Sequence, residues 1–310
     1  MSAQRRLALI LCFVILTGLL NAGSGTVTSR ARAIRFDGID IVSIKKYHLE
    51  RINRDRKAFN LPPVEYDRLA SEVADAHCRD MLEHDYFSHW SRDGSKPYMR
   101  YSQAGGNDAI VENLSRLWDA SLVPSNQQIN EILDRFQDRI MAERPPFDGH
   151  RKNVLDPDHT HVGIGLAIGL EHVYLAQEFI NRHVQIENLP RRANFSDTII
   201  IKGRPLDRQS KIGAISIYYE PLPQPMTIDQ LKRTNAYSLP DEEFTLRPRL
   251  PTGHYYLDGS KGVITIAPDG SFQAPLVLWR KQPGIYTIVV WLERDDRNFV
   301  ATNISIRVEN

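Results

Sequence analysis

The stretch from Phe147 to Gly165, FDGHRKNVLDPDHTHVGIG, decides how this chain is read. A small-residue turn delivers His150 and Arg151, Val154 and Leu155 make a short apolar step, and Pro157 ends it. Thr160 to Ile168 then reads as a strand, with Asp158 just ahead of it. His159 and His161 are two residues apart, so on a strand they point the same way, and one of them is expected to line a pocket. Two upstream segments are suited to meet this stretch: Tyr86-Phe87-Ser88-His89 and Val111-Glu112-Asn113-Leu114. Together they would bring two imidazoles, a carboxylate and the Arg151 guanidinium into one pocket.

Two imidazoles and a carboxylate are what a divalent cation such as Zn2+ takes from a protein when one coordination position stays open. The candidate metal ligands are therefore His89, His150, Glu112 and His161, with Arg151, Asp158 and His159 lining the cleft. In a hydrolytic alternative, a peptidase or esterase, Glu112 acts as general base on a metal-bound water. Singly, each residue has an ordinary reading: His89 as a hydrogen-bonding loop residue, Glu112 as a helix-start acid, His150 as a turn histidine bonded to backbone. Only the set points to function. His77, Asp80 and His84 recur at helical spacing and read as a polar helix face. No Gly-x-Ser-x-Gly elbow, phosphate-binding glycine loop, dinucleotide fingerprint or His-Glu-x-x-His helix occurs, which sets aside the commoner enzyme classes.

With 310 residues, 42% hydrophobic and 25% charged, the chain is long enough for two domains. A net charge of +1 excludes a dedicated nucleic-acid binder. Residues 1–24 have the layout of a Sec-type signal peptide: Arg5 and Arg6, an apolar run from Leu7 to Leu20, then small residues. The run is shorter than the roughly 20 residues that span hydrocarbon. The expectation is a secreted, extracytoplasmic protein, touching membrane only if that segment stays uncleaved as an anchor. Cys12 would leave with the signal, and Cys78 reads as a small buried apolar residue.

Residues 25–40 read as a linker and 41–184 as the first domain. Its helices are expected over Ile41 to Phe59, from an Asp67 cap to His84, over Tyr98 to Ala104, and over Asn126 to Ala142. The strands Thr160 to Ile168 and His172 to Phe179 would form a hairpin. Near Gln185 the pattern changes. From 190 to 310 short period-two runs predict an all-β, immunoglobulin-like sandwich: Thr198 to Ile201, Ile212 to Tyr219, Tyr255 to Leu257, Val263 to Ile266, Leu276 to Trp279, Ile285 to Leu292 and Val300 to Val308. No metal or nucleophile set stands out there, so its expected role is scaffold or adhesion.

The order Tyr-Phe-Ser-His, Glu-Asn, Gly-His-Arg-Lys-Asn-Val-Leu, Thr-His-Val-Gly-Ile-Gly and Gln177-Glu178-Phe179 resembles the CAP superfamily, in its bacterial secreted, cysteine-poor branch. Asn53, Arg56, Leu61 and Pro63 fit its opening pattern. The resemblance covers roughly Tyr47 to Phe179 and implies a three-layer α-β-α sandwich with a central cleft, so the fold class expected is α+β. It implies that His89 and Glu112 are the first cleft histidine and glutamate, and that His150 is the histidine of the bacterial Gly-His-Arg segment. Asp158 then stands where the second cleft histidine of animal and plant members is sought, and Asp138 is what the chain offers for the second glutamate. Members are mostly secreted binding, signalling or defence proteins. The resemblance thus implies a cleft for a divalent cation or a small, peptide or lipid ligand, with an extracellular or envelope partner.

Overall fold

The structure is a computed structural model that describes residues 38–234, 236–278 and 280–309. The expected signal peptide, and the linker as far as residue 37, lie outside the described residues. The first half runs α1 (Ile41–Ala58), β1 (Glu65–Tyr66), α2 (Arg68–His84), α3 (Pro97–Gln103), β2 (Ala109–Trp118), α4 (Asn126–Ala142), α5 (Gly149–Val154), β3 (His161–Ile168) and β4 (His172–Asn181). Capping side chains start the long helices where the sequence places them: Asp40 accepts from the Val42 and Ser43 amides, Asp67 from Ala70 and Ser125 from Gln128.

The strands form one sheet in the order β1-β3-β4-β2. On one face Ile44 of α1 and Ile129, Leu133 and Phe136 of α4 pack against Ile164, Leu166, Val173 and Leu175. On the other, Ala74, Cys78 and Met81 of α2 pack against Ala167, Tyr174 and Ala176. The result is an α-β-α sandwich. Cys78 is a free, buried thiol whose titration burial pushes well up, consistent with a packing role. The closest approach is α2 on β3, where a Cβ at Gly163 or Gly165 would lie 2.5 or 2.4 Å from the backbone carbonyl carbon of Ala70 or Ala74. The alternating glycines of Val-Gly-Ile-Gly thus make the face on which α2 lies.

The second half continues with β5 (Val184–Glu187), β6 (Arg192–Asn194), β7 (Ile199–Pro205), β8 (Lys211–Glu220), a one-turn α6 (Ile228–Leu231), β9 (Glu242–Leu246), β10 (Thr265–Ile266), β11 (Phe272–Leu276), β12 (Gly284–Arg294), β13 (Arg297–Val300) and β14 (Ile304–Glu309). Two sheets result, β10-β11-β7-β5 and β6-β14-β12-β8-β9, the latter with β13 paired to β12. They share one core, in which Ile201, Phe272 and Leu276 pack with Ile217, Ile288 and Ile306.

Several expectations shift. Tyr255 to Leu257 is an exposed turn rather than a strand, and the strand expected at Leu276 to Trp279 lies earlier, over Phe272–Leu276. The run expected from Val300 to Val308 breaks at residues 301–303, because those residues turn to meet the first half. Ala301 O accepts the Ala109 amide, and the Asn303 side chain bonds both the N–H and the C=O of Ile110. Asp158 is drawn to the same junction, where its carboxylate takes both terminal nitrogens of Arg297 at 2.6 and 2.5 Å.

Gly165→Ala is expected to lower stability by about 1–3 kcal/mol, because the new methyl meets helix backbone that cannot rotate away. Urea unfolding measures this, and an unchanged midpoint would mean that α2 does not sit this tightly on β3.

Candidate functional site

Glu112 lies within β2, not at a helix start, directly opposite Glu178 of β4. Both are fully buried. Burial alone would raise the Glu112 carboxyl; the charge of Arg100 and the hydrogen bond from His89 outweigh it and hold the group well below the usual carboxylate range. Its two oxygens are divided between those partners, Oε1 accepting from His89 Nδ1 at 2.7 Å and Oε2 from Arg100 Nη2 at 2.7 Å. Arg100 comes from α3, and its Nη1 also donates to His89 O at 2.8 Å. Glu178 responds the other way. Burial first, then the charge of Glu112, push it well above the usual range.

A second histidine–carboxylate pair stands at α5. His150 Nδ1 donates to Glu143 Oε1 at 2.6 Å, and Glu143 Oε2 accepts the Arg151 amide at 3.1 Å. Residue parity explains how the two pairs meet. Glu112 and Leu114 point to the α2 face, whereas Asn113 points to the other, where its Nδ2 donates to His150 O at 3.0 Å. Asn113 thereby ties α5 to the strand that carries Glu112. The imidazoles come close enough that charge on His150 would lower the His89 titration, which burial has already lowered.

Each carboxylate takes the Nδ1 proton, so a neutral ring keeps its lone pair on Nε2. In both rings Nε2 is buried and has no partner among the described residues. The same holds for Arg100 Nε. Buried polar atoms are rarely left so, and water or an ion is their usual partner. Two lone pairs held by carboxylate-anchored imidazoles fit a divalent cation. Among the described residues, however, no group of three or more His, Cys, Asp or Glu side chains is placed to hold a metal ion.

The other candidates go elsewhere. His161 lies at the start of β3 beside Thr160 Oγ1 and 3.7 Å from Glu65, where burial lowers its titration. His159 bonds Asn181 Oδ1 at 2.6 Å and stacks on Phe179. Neither joins His89 and His150, because β3 is an inner strand and β2 the outer one. Arg151 lies over the Phe59 ring at 5.1 Å and gives the site only its amide. Asp158 is committed to Arg297, and Asp138 to Arg51 at 2.6 Å. The second carboxylate is Glu143 instead. His77 is buried and donates from Nε2 to Ser88 O at 2.8 Å, a structural support under the His89 loop.

Arg100, Glu143, Glu178 and Tyr237 were missed from sequence. A Gln-Glu pair inside the apolar run of β4 was a readable signal; Tyr237, from the far half, had none. Its ring sits 5.1 Å from that of His89, and its hydroxyl accepts the Glu112 amide at 3.0 Å.

The family model of the cysteine-rich secretory protein family, CAP, matches residues 49–179. The chain is 30% identical over 145 residues to an uncharacterized membrane protein, YlbC, of Bacillus subtilis, covering 44% of this chain and 34% of that one. It is 26% identical over 126 residues to the uncharacterized protein YkwD of the same bacterium, covering 40% of this chain and 43% of that one. The match thus spans less than half of the length of either relative. Solved structures similar to it include an extracellular protein with an SCP domain from Bacillus anthracis, at 22% identity and TM-score 0.34, covering 46% of this chain and 44% of that one. An outer surface protein of Borrelia burgdorferi is 18% identical at TM-score 0.38, covering 46% and 96%.

Burial drives His77 down to about 4 and His48 to about 3, from an ordinary value of 6.5. Both are neutral when folded, and once unfolded they take protons below pH 6.5. Their contribution is present above that value and is lost as pH falls toward 4 and 3. The urea midpoint is expected to drop from pH 6.5 to 4.5, with a shallower slope in His77→Gln; equal slopes would count against the buried neutral ring.

Proposed function

Since residues 49–179 are a CAP domain, we propose that this chain is an extracytoplasmic binding protein whose cleft takes a divalent cation, Zn2+ or a similar ion, on Nε2 of His89 and His150. One observation carries the reading: two imidazoles, each fixed by a carboxylate on Nδ1, each with a buried and unpartnered Nε2. Glu112 and Glu143 orient the rings and raise their basicity rather than ligating. Bound there, a cation would supply a Lewis-acid centre able to hold a small anionic or carbonyl-bearing ligand. Export is supported by the charged, apolar, then small-residue order of residues 1–24. The second half, read as an immunoglobulin-like accessory or adhesion module, would face an envelope or matrix partner.

The hydrolytic alternative needs a base, and Glu112 is a poor one. Both its oxygens are bonded, and its affinity for a proton is depressed.

Calorimetric titration of the purified protein with Zn2+ is expected to give one site. The site is lost in a His89→Ala, His150→Ala double variant, and Glu143→Gln weakens it about 10–100-fold. A zinc-induced thermal shift that survives in the double variant would remove the cation from this cleft. Metal-dependent turnover of peptide or ester substrates, lost in Glu112→Gln with metal retained, would instead favour the hydrolase.

A further inference from the structure

The connection between β8 and β9 has no local reason for its length. The strands pair directly, Tyr218 opposite Glu242, so a tight turn would join them. Instead residues 221–234 and 236–241 leave the sheet, in a connection longer than the roughly 12–15 residues at which such connections become uncommon and usually functional. They cross the first half beside His89, and the contacts of the described residues are regular. Met226 N donates to Arg92 O at 2.8 Å. Gln224 passes so close over Gly94 that a Cβ there would meet its carbonyl oxygen at 2.4 Å, and Gly94 also holds φ +81°. Leu231 of α6 is fully buried among Tyr86, Phe87, Leu114 and Tyr174.

Beyond α6 the backbone carbonyls are held by side chains of the His89 segment. Ser88 Oγ donates to Thr234 O at 2.8 Å, Trp90 Nε1 to Ala236 O at 2.9 Å and Lys96 Nζ to Ser238 O at 3.1 Å. These anchors bring Tyr237 against the His89 ring, with its hydroxyl on the Glu112 amide. His89 is left with no exposure at all.

We propose that residues 222–234 and 236–239 are a lid shut over the His89 side of the cleft, latched by Tyr237, so that only an ion-sized guest reaches the imidazoles until the latch lifts. The polar anchors are replaceable by water, and Tyr237, packed with Tyr98, Met99 and Ile110, keeps 9% exposure where Leu231 has none. The lid therefore opens from its Tyr237 end, pivoting on α6. A peptide or lipid needs this opening; a bare cation does not.

The proposal rests on the cation-cleft reading only for the guest, and it is tested with no metal present. Diethyl pyrocarbonate acylates the neutral imidazole, whose nitrogen displaces ethyl carbonate, and peptide mass spectrometry reads the rate at each histidine in the full chain. His89 is expected to react at least about tenfold more slowly than exposed His254. Tyr237→Ala should recover most of that factor while His254 stays unchanged. Trp90→Phe, which removes one anchor and leaves the latch and the plug, should give a smaller acceleration, and it stands in if Tyr237→Ala fails to fold. A His89 rate equal to that of His254 in the parent, or unmoved in the folded variants, overturns the lid. A latched His89 in a protein that takes no zinc fails the cation reading alone.

Discussion

A carboxylate in the middle of a β-sheet, out of reach of water, is the constraint on which the rest of this structure depends. Glu112 is fully buried, and an ionised group there is tolerable only if it is paired and hydrogen-bonded. The Arg100 guanidinium supplies the charge and His89 the second bond. Each demand passes outward. Arg100 must come from a helix lying beside β2, and its Nη1 then holds the His89 carbonyl. The loop after α2 must come back to present His89, and His77 steadies that loop through Ser88. With one carboxylate held low, burial and that charge push the carboxyl of its cross-strand neighbour Glu178 the other way.

Being an outer strand, β2 offers a row of unpaired amides and carbonyls, a hazard that folded proteins cover. Here the second half covers it. Asn303 takes the outward groups of Ile110, and Tyr237 takes the outward amide of Glu112 two residues on. The two halves are therefore joined along a strand edge as well as by the ion pair between Asp158 and Arg297. Tyr237, one of the residues that seal this edge, also lies against the His89 ring, so the packing between the halves and access to His89 are one physical question.

Local features of the chain settle more than its site does. The Asp67 cap and the apolar face from Asn126 to Ala142 announce helices whose ends are right to within a residue, because capping and the 3.6-residue pattern act over short range. The glycines of Val-Gly-Ile-Gly announce a close neighbour, and α2 is that neighbour. The second half is blurrier. Strands such as Glu242–Leu246 lack clean alternation, and the turn at Tyr255 to Leu257 imitates a strand because aromatic runs look alike in either setting.

By itself, then, the order of residues put His89, Glu112 and His150 forward as one set, since motif spacing carries the fold that brings their segments together. Tertiary structure alone decided what each one does. That His150 pairs with Glu143, that both oxygens of Glu112 are taken by His89 and Arg100, and that a tyrosine more than a hundred residues away lies on it depend on strand order and residue parity across the sheet. Those are long-range facts, created by burial and by the pairing of strands, and no window of neighbouring residues contains them.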